Sequence, residues 1–214
     1  MGNLEQWYEQ QKGKHFSEKI IEECDPHSSV LIVIDMVNGF TKHGALYHPN
    51  IESLIAPVSR TMREAKAASM PILGFGDAHE KQSVEFTIFP EHCVEGTEEA
   101  ELAEELQDVG MDVWIPKRST NGFLEELFQE WLQENKHVHT FIVTGDCTDI
   151  CILQFVLSLT AYFTKQGHKK NVIVPVNLVD TFSHNEHPSH VMNTFSFYLM
   201  EQSGAELVQW KHSL

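Results

Sequence analysis

The sequence predicts an α/β fold: three α/β/α layers built on an open, mostly parallel sheet of six strands. Three observations predict it. Runs of branched apolar residues recur along the chain, the clearest being VLIVID at 30–35. Segments with apolar residues at three- and four-residue spacings, the signature of amphipathic helices, lie between those runs. Glycines close several of these segments, as at Gly110, Gly167 and Gly204. Strict alternation argues for parallel strands, because these need helical crossovers, and such crossovers are right-handed.

The elements follow in order. Residues 1–28 read as an N-terminal extension carrying a short peripheral helix, with Leu4, Trp7, Tyr8 and Gln11 on one side, and residues 29–214 read as one domain. Val30–Asp35 is a continuous β-branched run of the kind buried on both faces of a parallel sheet. Ile51, Leu54, Ile55, Val58, Met62 and Ala65 mark a helix over 51–68, followed by a strand over 71–78. The alternation continues with helix 98–108, strand 112–116, helix 123–134, strand 140–145, helix 151–165 and strand 171–180. A last helix starts at Pro188, a residue suited to a first helical turn, and a final strand covers 205–210. The helix from Cys151 to Phe163 is apolar almost all round, which implies deep burial or a subunit interface, and a homo-oligomer is expected.

Composition sets further bounds. A chain of 214 residues with 42% hydrophobic and 21% charged side chains is a globular domain without disordered or collagen-like bias. Fifteen Lys and Arg against 31 Asp and Glu give a formal charge of -16, a field that repels nucleic acid. Met1–Gln10 lacks the basic start and apolar core of a signal peptide, and no run of about 18 apolar residues occurs that would span a bilayer. Gln6 stands where a myristoylation signal following Gly2 needs Ser or Thr. The expectation is a cytosolic protein without a membrane partner, whose four cysteines are thiols or ligands rather than a disulfide frame.

In open sheets of this kind ligands bind beyond the carboxyl ends of the strands. Three such ends carry Asp35, Lys117 and the segment Gly145-Asp146-Cys147-Thr148-Asp149-Ile150-Cys151, which brings an acid, a cation and a thiol to one edge. A thiol at a helix start beside an ammonium is expected to have a depressed pKa, making Cys151 the candidate nucleophile. Asp35 is then the candidate acid–base group for acyl transfer. Each residue has a plainer alternative alone: a turn cap for Asp35, a solvated charge for Lys117, a small core side chain for Cys151. Together, with Gly145 allowing a tight turn before the thiol, they favour catalysis.

A second group follows the second strand. Asp77 and His79 alternate onto one side of an extended segment, and Glu85 and His92 come after them. One carboxylate, two imidazoles and a nearby carboxylate suit Zn²⁺ or another first-row divalent ion with open positions for water or substrate. Cys93 is expected to point away from His92 and to pack.

VLIVIDMVNGF, GDAHE with FPEHCVEGTEEAEL, IPKRSTNGF and VTGDCTDIC together resemble the isochorismatase-like cysteine hydrolases, most of all nicotinamidases, over about residues 29–210. The resemblance implies a triad of Asp35, Lys117 and Cys151, and a metal held by Asp77, His79, His92 and Glu85, with Zn²⁺ first and Fe²⁺ or Mn²⁺ as alternatives. It also implies a cis peptide between Asp146 and Cys147, an oxyanion hole formed by the N–H groups of Cys147 and Cys151, and a ring pocket lined by Phe40. The implied reaction is hydrolysis of nicotinamide to nicotinate and ammonia through a thioester, a step of NAD salvage. Ala78 and Glu80 stand where many nicotinamidases have Trp and Pro, so one pocket wall is expected to be open or filled from elsewhere. The alternatives are another small-amide or carbamoyl hydrolase with the same triad, or a non-catalytic metal-binding or thiol redox protein using Cys147 and Cys151.

Overall fold

The computed structural model describes residues 3–213, so the Met1-Gly2 start at which the sequence argues against lipidation lies outside the described residues. The chain begins with α1 (Leu4–Lys12), whose first turn is capped by Asn3 Oδ1 accepting from the Glu5 N–H. There follow β1 (Ser17–Lys19), β2 (Ser29–Ile34), α2 (Asn38–Thr41), α3 (Pro49–Glu52), α4 (Ile55–Ala67) and β3 (Ile72–Asp77). The second half holds α5 (Glu104–Gln107), β4 (Val113–Lys117), α6 (Glu126–Glu134), β5 (Thr140–Gly145), α7 (Leu153–Gln166), β6 (Asn171–Pro175), α8 (Ser189–Gln202) and β7 (Glu206–Trp210). All strands join one sheet in the order β1-β7-β6-β5-β2-β3-β4, and every pairing is parallel.

The α/β expectation holds, with seven strands instead of six among the described residues. The added strand, β1, lies in the N-terminal extension and pairs with β7 in the register Ser17 to Val208. Its Ser-Glu-Lys sequence has no apolar alternation, because a short edge strand needs only its backbone groups to be recruited. The strand expected over 171–180 ends at Pro175; the chain then turns, and the Leu178 carbonyl comes back to accept the Gly145 N–H at 2.9 Å. The helix expected over 98–108 is a 3₁₀ turn (Glu98–Ala100) followed by α5, because the extended link between them pairs with β2's exit, the Ala103 N–H donating to the Met36 carbonyl at 3.0 Å. The helix expected over 51–68 breaks into α3 and α4. Pro188 caps α8 from just outside its first turn.

β2 shows why a continuous apolar run belongs at the centre. Val30, Ile32 and Ile34 enter one hydrophobic cluster with Phe75, Phe128 and Phe155, while Leu31 and Val33 enter the other with Met62 and Ile72. Alternate side chains therefore serve opposite faces of the sheet, each fully buried side chain contributing about 1.5–3 kcal/mol. α7 covers the first face with Phe155, Val156, Leu159 and Phe163, and Gly167, at φ 71°, closes it in the left-handed conformation. The all-apolar helix is thus explained on its inner side by burial within this chain. α1 lies on α8 through Trp7, 5.0 Å from Phe195 and 5.1 Å from Tyr198 between ring centroids. Among the described residues no helix is long and apolar enough to cross a membrane.

Strand order reverses at β2: β3 and β4 extend the sheet to one side, β5, β6, β7 and β1 to the other. A crevice opens beyond the carboxyl ends of the strands at such a reversal, and the polar residues of interest gather there.

Candidate active site

Asp35 follows β2 directly with φ 57°, a left-handed conformation that Asp tolerates better than most side chains and that recurs at functional sites. Its N–H donates to the Phe75 carbonyl at 2.9 Å, and its Oδ1 accepts from the Asp77 N–H at 3.1 Å. Lys117, the last residue of β4, lies in register with Asp77, the last of β3. Its ammonium is completely buried, 2.8 Å from Asp35 Oδ2 and 3.7 Å from Cys151 Sγ, and it donates to Asp77 Oδ1 and to the Ser119 carbonyl. Three strand ends thus converge on one cation.

Cys151 arrives by a different route. β5 ends at Gly145, whose φ of 111° suits glycine, and a Cβ there would stand 2.0 Å from the Ile34 carbonyl oxygen, so no larger residue lets β5 pass β2 so closely. The Asp146–Cys147 peptide is cis, and a π-helical turn (Thr148–Ile152) leads into α7 with Cys151 inside it. Such turns are frequent at functional sites. Cys151 does not have the depressed pKa expected from a place at a helix start beside an ammonium: burial pushes the thiol well above its usual value, Lys117 opposes this, and Asp35 and Asp77 add to it. Cys151 therefore rests as a thiol and needs a base. Burial pushes the Asp35 carboxyl up to about 7, Lys117 opposing and Asp77 reinforcing the rise, which poises it to take a proton near neutrality.

Asp77, His79, Glu85 and His92 come together as one group, their ligand atoms all within 4.8 Å of one another. His79 Nε2 lies 3.4 Å from Asp77 Oδ1 and 3.7 Å from Glu85 Oε1; His92 Nε2 lies 3.5 Å from Asp77 Oδ2 and 4.0 Å from Glu85 Oε1. His79 is fully buried, yet among the described residues neither of its ring nitrogens finds a hydrogen-bond partner. Buried polar atoms rarely stay unpaired, and two imidazoles with two carboxylates form a good donor set for a divalent ion. His92 Nδ1, 2.8 Å from the Pro90 carbonyl, leaves Nε2 facing the group, the outer-partner arrangement common to metal-binding histidines. The residues present therefore fit such an ion. Cys93 turns into a small cluster with Val37, Phe40 and Ile51 and packs, as expected.

The two groups inferred separately from sequence are one site. Asp77 belongs to the metal-ligating set and also accepts from Lys117, so the chemistry of the thiol and that of the cluster share a carboxylate. A cavity of about 430 Å³ opens over both, lined by Asp35, Phe40, His92, Cys147 and Cys151. Phe40 stands 5.7 Å from the His92 ring. Two aromatic side chains of the metal loop stand near this group: Phe86 packs 5.5 Å from His79, and Phe89 lines the cavity.

Sequence reasoning missed the residues supplied by loops, among them Tyr47, His48, Thr120 and the Phe182-Ser183-His184 stretch. No local pattern marks them, because they meet only through the sheet. His48 Nε2 lies 3.2 Å from both the N–H and the carbonyl of Ser183, joining the loop after β2 to the one after β6. His187 fastens the second loop to the nucleophile turn, with Nε2 2.7 Å from Asp149 Oδ2 and its ring stacked 3.9 Å from Phe182.

The isochorismatase domain model matches residues 29–211. Nicotinamidase 1 of Arabidopsis thaliana is 26% identical over 212 residues, covering 83% of this chain and 84% of that protein. Among solved structures, N-carbamoylsarcosine amidase from Thermoplasma acidophilum shares the fold at a TM-score of 0.70 and 21% identity, over 85% of this chain and 96% of that one. The pyrazinamidase of Pyrococcus horikoshii, solved in complex with zinc, shares it at a TM-score of 0.68 and 24% identity, over 85% of this chain and 99% of that one. The match of a family model across nearly the whole sheet, on top of an acid, a lysine and a cysteine meeting where the strand order reverses, makes this chain a member of the isochorismatase family.

Proposed function

We propose that the chain is a metal-dependent cysteine amidohydrolase that converts nicotinamide to nicotinate and ammonia. One observation carries this reading: the buried Lys117 ammonium lies at once against Asp35, Cys151 and Asp77, so base, nucleophile and metal-ligating carboxylate form a single unit beneath one cavity. The similarity to Nicotinamidase 1 supports the choice of amide.

In this mechanism Asp35 takes the Cys151 proton as the sulfur attacks the carboxamide carbon. The N–H groups of Cys147 and Cys151 receive the developing oxyanion, a contribution of about 2.7–4 kcal/mol for one such donor. The proton on Asp35 passes to the departing nitrogen and ammonia leaves, giving a thioester. A water molecule then gives a proton to Asp35 and attacks the same carbon, releasing the acid and returning the proton to sulfur. Lys117 balances the negative charge that moves between Asp35 and Cys151 throughout. Asp77, His79, Glu85 and His92 would hold the metal, which supplies a coordination position for the pyridine nitrogen and so a template for orientation. Zn²⁺ is the ion we propose first, supported by the zinc in the Pyrococcus horikoshii pyrazinamidase. Cytosolic residence and self-association are further parts of the proposal, to be read by cell fractionation and by sedimentation.

Ammonia release from nicotinamide by metal-loaded protein, run beside Cys151→Ala and a panel of other primary amides, tests the reading. The expected result is turnover that Cys151→Ala abolishes. Turnover that survives Cys151→Ala would refute the mechanism; Cys151-dependent release from other amides alone would keep the mechanism and remove nicotinamide.

A further inference from the structure

Asp146 has no role in the reaction just described, yet it is one of the residues that line the reaction cavity, and its side chain is completely buried. Its backbone is held beside the catalytic acid, the N–H donating to the Ile34 carbonyl at 3.0 Å. Its carboxyl is poorly served. Oδ1 has no hydrogen-bond partner among the described residues, and the neighbour of Oδ2 is the Cys147 thiol at 3.8 Å, a weak donor at long range. Among the described residues no backbone N–H donates to it, so it caps no turn. Lys117, the nearby cation, is already engaged by Asp35 and Asp77.

A leucine would fill such a place at no polar cost, whereas a buried polar atom without a partner costs about 1–3 kcal/mol, and native proteins rarely keep one without a use. The missing partner is therefore sought in what enters the cavity. We propose that Asp146 is a specificity-determining residue that accepts a hydrogen bond from a second N–H or O–H group on the substrate, beyond the carboxamide that is cleaved. The inference rests on the amidohydrolase reading and refines it. The substrate class is a primary amide whose frame carries a further donor, such as an amino- or hydroxy-substituted ring carboxamide or a ureido amide. Nicotinamide, whose frame beyond the carboxamide offers C–H groups and a ring nitrogen that accepts, is still cleaved on this reading, and an amide of the same frame with an added donor is cleaved more efficiently. Burial, reinforced by Asp35, pushes the Asp146 carboxyl well above its usual range, and a neutral carboxyl here can also donate, which suits the donor–acceptor edge of a ureido group. Sites built to pair a buried polar group with the substrate discriminate strongly against analogues that lack the partner.

The test compares wild type, Asp146→Asn and Asp146→Leu on matched amides with and without the extra donor, by kcat/KM from ammonia release. Wild type is expected to favour donor-bearing amides over their matched partners by at least tenfold, Asp146→Leu to lower that ratio at least tenfold, and Asp146→Asn to keep part of it. Asp146→Leu is also expected to raise the melting temperature, because it removes an unpaired buried group; a fall in melting temperature together with an unchanged ratio would overturn the inference. An unchanged ratio across folded variants overturns it whatever the temperature does. If no compound is hydrolysed, the amidohydrolase reading fails separately, and calorimetric binding of the same matched pairs to wild type and Asp146→Leu still decides: loss of preference for the donor-bearing compound supports the role of Asp146, and equal preference refutes it.

Discussion

Replacing Lys117 by Met keeps an unbranched chain as far as Cε and removes the charged nitrogen from the centre of the site. The ammonium is wholly enclosed, with Asp35 Oδ2 2.8 Å away, Asp77 Oδ1 in direct contact and the Ser119 carbonyl at 3.2 Å. Taking away one partner of a buried ion pair costs about 3–5 kcal/mol, because the other partner stays buried without compensation. Here two carboxylates would be left, so the upper part of that range applies, against a total stability of about 5–15 kcal/mol for a typical domain. With a urea slope of about 2 kcal/mol per M, the unfolding midpoint of the chelator-treated protein should fall by about 2 M. Adding Asp77→Asn to Lys117→Met removes one stranded charge and should restore about 1–3 kcal/mol of the loss, as expected for residues in direct contact. Equilibrium urea unfolding followed by tryptophan fluorescence measures both. A Lys117→Met midpoint within about 0.3 M of wild type, or a double variant whose loss is the plain sum of the two single losses, would show that the cation does not hold these acids together.

Three further outcomes follow from the geometry. Gly145→Ala places a Cβ 2.0 Å from the Ile34 carbonyl oxygen at a φ of 111°, and should destabilise the fold by about 3 kcal/mol or more or prevent soluble expression, while Gly167→Ala, which meets no atom within 4 Å, should cost only about 1 kcal/mol; thermal melts compare them. His79→Ala should weaken zinc binding by more than the roughly 10–100-fold typical of losing an outer partner, and Glu85→Gln should do so less, since Glu85 stands at 3.7 and 4.0 Å from the two imidazoles; metal analysis after dialysis against graded chelator reads this. Asp112 accepts from Lys66 at 2.8 Å and from the Ile72 N–H at 2.8 Å. Burial opposes its ionisation, but these two bonds outweigh it and hold the carboxyl below its ordinary value. A depressed folded-state pKa contributes stability above the unfolded value of about 3.9 and loses it as pH falls through the folded value, so Asp112→Asn should melt below wild type at pH 7 and converge with it in strong acid.

The chemistry was more legible in the sequence than the pocket was. VLIVID, IPK and VTGDCTDIC place Asp35, Lys117 and Cys151 at strand ends because strand and loop have opposite compositions, and the topology of a parallel sheet then brings those ends together. D-A-H and the later His92 were readable as ligands because the residue types are few and chemically distinct. What the spacing did not convey was that Lys117 and Asp77 are register partners, which fuses two sites into one. The pKa of Cys151 was misread from its place at a helix start, because a helix terminus stabilises a thiolate only where burial and neighbouring carboxylates do not outweigh it. Asp146 was visible in the sequence, but its isolation is a property of three-dimensional packing. The segment 171–180 misled through composition: Val176, Leu178 and Val179 are apolar, yet after Pro175 they serve a turn that returns to Gly145.

β1 gives the N-terminal segment a purpose that catalysis does not require. Without Ser17-Glu18-Lys19, the sheet would end at β7, a strand whose Leu207, Val208 and Trp210 are buried and whose outer backbone groups would stand open. An uncovered edge of that kind recruits strands from other molecules, whereas three polar residues that pair with it and carry charge of both signs make a poor template for the next. The segment acts as a hem on the sheet, and its loss would be felt first in the solution behaviour of the protein, as growth of aggregates with concentration and time, before any change in the chemistry at the opposite ends of β2 and β5.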